Sequence, residues 1–222
     1  MTDSDTFLDA VLRQVPFEGF SQAAIDAAAA ELGLSREQAR ALAPRGPVGL
    51  AAAYHKRGDA QMLDRLAKAD LSDLKFRERI ALAVRLRLED ADRELVRRGT
   101  TLFALPQHAV EGARLIWGTA DAIWSALGDT SEDVNWYSKR LTLSGVISAT
   151  VLYWLGDASE GAADSWAFLD RRIEDVMRIE TAKARMREVP GLARLFDSPL
   201  NPLNKLHKPA KAPEGYPGKW QR

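Results

Sequence analysis

The three histidines, His55, His108 and His207, are the natural first candidates for metal or acid–base chemistry in this chain. None stands in a metal-ligand spacing such as H-E-x-x-H. No Glu-x-x-His occurs either, so the carboxylate-bridged di-iron site of helical bundles has no ligand set here. His108 and Glu111 lie one turn apart near a predicted helix start, where surface residues are a simpler reading than a catalytic pair. The acids Asp129, Asp133, Asp157, Glu160 and Asp164 invite a carboxylate-pair reading. Their loop positions suit capping and charge complementation of helix N-termini better. With no cysteine, disulfides, thiolate metal sites and thiol nucleophiles are excluded. No glycine-rich phosphate loop and no nucleophile elbow appear. The chain therefore reads as a non-enzyme, with no catalytic residue, metal or cofactor assigned.

The elements that would position any site are helical throughout. Of 222 residues, 46% are hydrophobic and 28% charged, a globular composition rich in Ala, Leu, Arg and Glu. Apolar spacing predicts a helix over residues 6–14, turned by Pro16 and Gly19. A second runs from an N-cap at Ser21 to Leu32 with Gly33 as its left-handed stop, and a third over 36–42 is capped by Ser35 and ended by Pro44. This rhythm is a helix-turn-helix signature. A fourth helix begins near Pro47 and runs to about His55, followed by a separate segment over 59–68. Residues 72–98 carry Ile80, Val84, Leu88, Ala91 and Leu95 at three- and four-residue steps, which predicts one long amphipathic helix. Further helices are expected over 106–127, 134–155 and 162–188. Nothing reads as a strand, and six prolines break up the tail from residue 190. The expected organisation is a helix-turn-helix-like module over 1–58, a helical ligand-binding and dimerisation domain over 59–189, and a Pro-rich tail over 190–222.

Charge argues against nucleic acid as a partner. Basic and acidic residues number 31 each. Within the first module Arg13, Arg36, Arg40, Arg45, Lys56 and Arg57 are matched by seven acids, so the attraction for phosphates is weak. The longest apolar stretch, 141–155, is shorter than the roughly 20 residues of a membrane span. The acidic N-terminus lacks a targeting pattern, and a cytoplasmic protein is the expectation.

Two features point to an apolar ligand instead. The segment 134–155 interleaves Trp136, Tyr137, Leu141, Val146, Ile147, Val151, Tyr153 and Trp154 with Ser144, Gly145, Ser148 and Ala149. Apolar character nearly all round means burial on more than one side. A homodimer seam plus a core face explains it economically; a purely intramolecular core is the alternative. Trp117 and Trp124, seven residues apart, fall on nearly the same helical face and could line one cavity. Helix faces nominate Val84, Leu88, Ile116, Trp117, Ile123, Trp124 and Val151 as lipid-binding residues.

The run Asp129-Thr130-Ser131-Glu132-Asp133-Val134-Asn135-Trp136-Tyr137-Ser138-Lys139-Arg140 resembles the characteristic stretch of the lipid-binding accessory family of ubiquinone (coenzyme Q) biosynthesis, the ninth named component of that pathway. A second block, Asp164-Ser165-Trp166-Ala167-Phe168-Leu169-Asp170-Arg171-Arg172-Ile173-Glu174-Asp175-Val176-Met177, resembles the family's next helix in the expected order and separation. The resemblance implies an all-α, tetracycline-repressor-like fold. It also implies binding of an isoprenoid lipid or quinone precursor, presentation to a di-iron demethoxyubiquinone hydroxylase, and dimerisation through the final helices. It places Trp136 and Tyr137 on the hydroxylase-contacting surface, with Asp133 and Arg140 beside them. Peripheral association with the inner membrane is implied as well. The tail's Leu192, Leu195, Phe196, Leu200, Leu203 and Leu206, with interleaved Arg194, Lys205, Lys208 and Lys211, suit an anionic bilayer surface. The alternative is a ligand-responsive transcriptional regulator on the same fold, and a general phospholipid-binding scaffold stands behind it.

Overall fold

The computed structural model describes residues 3–132 and 134–187, with side chains to residue 178. Asp133 and the tail expected over 190–222 lie outside the described residues. Every regular element among them is helical: α1 Ser4–Glu18, α2 Gln22–Glu31, α3 Arg36–Leu42, α4 Gly46–Lys68, α5 Phe76–Glu89, α6 Arg93–Ala104, α7 Ala109–Ala126, α8 Val134–Gly156, a 3-10 turn Glu160–Ala162, and α9 Ala163–Arg187. None is long and apolar enough to cross a membrane.

Local chemistry sets most of the helix ends. The Asp3 carboxylate accepts from the Thr6 amide at 2.7 Å and starts α1. Ser35 and Gln38 form a reciprocal capping box at the head of α3. Gly33, at φ 65°, closes α2, with the Gly33 amide donating to the Ala30 carbonyl and the Leu34 amide to Ala29. α1 continues through Pro16 to Glu18 rather than turning there. Proline in the last turn forfeits one N–H, and Arg98 donates to its carbonyl at 2.8 Å.

Two cores follow from these helices. Phe7, Val11 and Val15 of α1 pack with Ala24, Ile25 and Ala28 of α2, Leu50 of α4 and Leu95 of α6. The second core joins Met62 and Leu66 of α4 to Val84 of α5, Ile123 of α7, Leu143 and Ile147 of α8, and Leu169 and Ile173 of α9. Full burial of each of the larger aliphatic and aromatic side chains contributes about 1.5–3 kcal/mol.

Helix α4 belongs to both cores, and here the expectation of two segments is corrected. It runs unbroken for 23 residues, about 35 Å. Gly58 does not interrupt it; a Cβ there would lie 2.6 Å from the Arg87 guanidinium, so the glycine makes room for an arginine to cross the helix. Through that slot Arg87 Nε donates to Asp59 at 2.7 Å and Arg87 Nη2 to the His55 carbonyl at 3.0 Å. The helix expected over 72–98 is also corrected. It divides into α5 and α6 because Asp92 caps a new start, accepting from the Glu94 and Leu95 amides at 2.8 and 3.0 Å. Asp157 does the same service between α8 and α9. It accepts from the Ser159 hydroxyl at 2.6 Å and the Ser165 hydroxyl, which chiefly hold its carboxyl well below the usual range, and from the Ser159 and Ser165 amides at 2.8 and 2.9 Å. Its predicted capping role is thereby met.

His55 sits where the two cores meet, its Nε2 2.8 Å from the Thr119 hydroxyl and 3.5 Å from Asp59. Burial, and Arg87 beside it, lower its pKa from 6.5 against the opposing pull of Asp59. The folded chain then binds fewer protons at this site than the unfolded chain, so the stabilisation is complete above pH 6.5 and is lost as pH falls through the depressed folded value. Denaturant titrations between pH 7.5 and 5 should show falling stability, with a shallower slope in His55→Gln. Equal slopes for the two proteins would contradict this.

Candidate functional site

The first family-like block begins where α7 stops. Gly128, at φ 81°, lets the Asp129 amide donate back to the Trp124 carbonyl at 2.9 Å. That turn drops the Asp129 carboxylate between the end of α7 and the start of α8. It accepts from the Ser131 hydroxyl at 2.8 Å, Lys139 Nζ at 2.7 Å and Arg140 Nη1 at 2.9 Å. Burial alone would push this carboxyl up; the hydrogen bonds from Lys139, Arg140 and Ser131 outweigh it and hold the group far below the ordinary carboxylate range.

Around this anchor lies a cavity of about 530 Å³, within the range of small-molecule sites. Its polar end is made by Gly128 to Ser131 with Asn135, Ser138 and Lys139. Its apolar wall is made by Phe76 and Ile80 of α5, Trp124 of α7, Leu143 and Val146 of α8, and Ile173, Val176 and Met177 of α9. Trp124 is fixed from three sides. Its indole N–H donates to the Lys139 carbonyl at 3.2 Å, the Phe76 ring stands 5.5 Å away, and Lys139 Nζ lies 5.0 Å from the ring centroid.

Of the seven residues nominated for lipid contact, Trp124 lines this cavity. Val84 and Ile123 lie in the second core, with Ile116 and Val151 packed on it. Leu88 joins Trp154 and Ala162 in a third, small core. Trp117 turns away from Trp124, into an aromatic cluster 5.8 Å from Trp136 and 6.4 Å from Tyr137. Seven residues share a helical face only approximately, and here the drift assigns the two tryptophans to different neighbours. The lining residues that were missed on α9, Ile173, Val176 and Met177, carry the i, i+3, i+4 signal of an apolar stripe. That signal does not distinguish a core face from a cavity face.

Trp136 and Tyr137 meet edge to face at 4.8 Å and 83°. Trp136, expected on a contact surface, is instead buried at 8% exposure against the Arg140 guanidinium, and Tyr137 is half-buried. Arg140, expected beside them on the surface, is instead almost wholly buried, at 1% exposure. Its guanidinium lies 4.2 Å from the Trp136 ring, bonds to Asp129, and donates through Nε to Asp121 at 2.6 Å. Four places on from Trp136, it points inward beneath the ring and supports it. His108 and Glu111 do not form a pair: Glu111 is bound by Arg45 at 2.6 Å. Arg36 and Arg40 of the helix-turn-helix are exposed.

Breaking a buried ion pair by removing one partner costs about 3–5 kcal/mol. Arg140→Met should therefore lower the melting temperature by roughly 10 °C at about 2–4 °C per kcal/mol. An unchanged melt would show that the pair does not hold the loop.

The COQ9 family model matches residues 109–180, which contain both blocks read from the sequence. The rat protein named "Ubiquinone biosynthesis protein COQ9, mitochondrial" is 32% identical over 79% of this chain and 59% of its own length. The proteins of the same name from Drosophila melanogaster and Homo sapiens are 29% and 30% identical, over 87% and 79% of this chain and 60% and 58% of their own. The chain thus spans about 60% of the length of these curated relatives. Among solved structures, a TetR transcriptional regulator from Nitrosomonas europaea superposes with a TM-score of 0.63 at 21% identity, over 77% of this chain and 95% of that one. The fold is the tetracycline-repressor type, and by sequence this chain is a relative of the COQ9 proteins of ubiquinone biosynthesis, with residues 109–180 carrying that family's pattern.

Proposed function

We propose that this chain acts in ubiquinone biosynthesis as a non-catalytic carrier that binds an isoprenoid quinone intermediate and presents it to a di-iron hydroxylase. The observation that carries this reading is that the two family-like blocks line one amphipathic cavity, the first through Asp129, Thr130, Ser131, Asn135, Ser138 and Lys139 and the second through Ile173, Val176 and Met177. A polyprenyl chain is nearly insoluble, and each buried CH₂ is worth about 0.8 kcal/mol, so a carrier needs such a wall. The carrier supplies binding and orientation; the partner supplies the chemistry. Trp136, Tyr137 and Trp117 form an aromatic cluster in which Trp136 is buried and backs the half-buried Tyr137 and Trp117, and those two rings suit a protein contact.

In this reading the protein is a homodimer that works at the inner membrane surface. Leu141, Gly145, Ser148 and Leu152 recur at steps of four, three and four along α8, all of them exposed. Leu141 and Leu152 are 67% and 64% exposed, more than isolated surface leucines require. Such a stripe of large and small residues lets a second helix approach closely.

Native mass spectrometry with lipid extraction should find a quinone-like or polyprenyl species on a dimer purified from its own host. Thr142→Trp, which fills the cavity from a half-buried position, should deplete that lipid by at least tenfold while the protein stays folded. A lipid-free protein holding duplex DNA would sink the carrier and favour a regulator. Leu152→Glu should convert the dimer to a monomer in light scattering; a dimer unaffected by it would place the seam elsewhere. Tyr137→Ala, at a half-buried member of the cluster, should weaken hydroxylase capture by tenfold or more without changing lipid content, and undiminished capture would remove this surface from the reading.

A further inference from the structure

We propose that Lys139 selects the head of the cavity's ligand, and that it selects an uncharged oxygen acceptor, such as a quinone carbonyl or a phenol oxygen, over a phosphate or carboxylate. This inference rests on the carrier reading and adds to it the chemistry of the polar end. Lys139 is a cavity-lining residue whose ammonium carries three N–H groups. Asp129 takes one at 2.7 Å and the Ser131 hydroxyl a second at 2.6 Å. One donor remains for a ligand, on a side chain that those two bonds and the Trp124 ring hold in place.

Charge then decides what that donor accepts. Among the described lining residues, the charged ones are Lys139 and Asp129, and they cancel. Arg140 behind them is offset by Asp121 and is turned toward the Trp136 side. An anionic head would leave water for a site with no net positive charge and a carboxylate already in it. Burying an unpaired charge is far more costly than burying a dipole. A neutral carbonyl exchanges a water hydrogen bond for a charge-assisted one, worth about 1.5–3 kcal/mol. Trp124 and Phe76, tilted against each other 5.5 Å apart beside the ammonium, make this end of the cavity lining aromatic, which suits a planar ring.

The test is isothermal titration of the full-length protein with two amphiphiles of equal chain length, decyl-benzoquinone and decyl phosphate, each delivered below its micelle threshold. The wild type should prefer the quinone by at least tenfold. Lys139→Met, at a side chain one-third exposed, should lose about tenfold in quinone affinity while keeping its fold. Asp129→Asn, which leaves the ammonium uncompensated, should shift the preference toward decyl phosphate. Equal or tighter binding of decyl phosphate by the wild type, abolished in Thr142→Trp, would overturn the head assignment and leave the carrier standing. Unchanged quinone affinity in Lys139→Met would overturn it too. Failure of both amphiphiles to bind the wild type would remove the inference and the carrier reading together.

Discussion

Asp129 holds a negative charge where almost no water reaches it, and the arrangement of the functional end depends on how that charge is met. Its side chain is 2% exposed, and two successive residues of α8 answer it, Lys139 at one oxygen and Arg140 at the other. Successive residues on a helix point about 100° apart, so these two cations leave α8 in different directions. One enters the cavity wall and the other passes under Trp136. A single carboxylate therefore fixes the loop, the polar end of the cavity and the base of the aromatic cluster. An uncompensated charge at this depth would be costly, so the loop stays in place only while at least one of the two cations, above all the buried Arg140, meets the carboxylate.

The helix ends that were legible in the sequence are those set by local chemistry. Ser21, Gly33 and Ser35 act through their own backbone neighbours, and the structure has them in those roles. Of the misread ends, one was decided at long range and one by a local cap hidden inside an apolar repeat. Gly58 looks like a breaker between charged residues until Arg87, 29 positions later, is seen to occupy the space it leaves. Asp92 reads as one more polar position in an amphipathic repeat, yet its carboxylate starts α6. For the site, the conspicuous block around Asp129 was visible. The cavity it closes was not, because Val84, Ile123 and Ile173 have the same apolar spacing whether they face a neighbour or a void. Arg140 next to a surface motif suggested exposure; only three-dimensional packing reveals that it is buried and balanced by a buried carboxylate, Asp129, and a half-exposed one, Asp121.

A repressor-type frame need not act on DNA, since activity resides in the sites carried by a fold. In this chain α3 is seven residues long, with Arg36 and Arg40 offset by acids elsewhere in the same module. Most of the specialised chemistry lies in the other half, between α7 and α9. There, buried charge, aromatic rings and an apolar void come together within two short stretches of sequence.

The continuity of α4 limits how this molecule could be divided. A boundary drawn at residue 58 cuts through that helix, four residues short of Met62 and eight past Leu50. Neither product of such a cut would be self-contained. One would keep a stub of α4 whose lower turns face solvent, and the other would begin without the turns that support its first buried methionine. Chimeras that graft this cavity onto another repressor's head must therefore be joined on the far side of a complete α4, before Gly46 or after Lys68. The two halves were free to diverge in purpose only as passengers on the same rod.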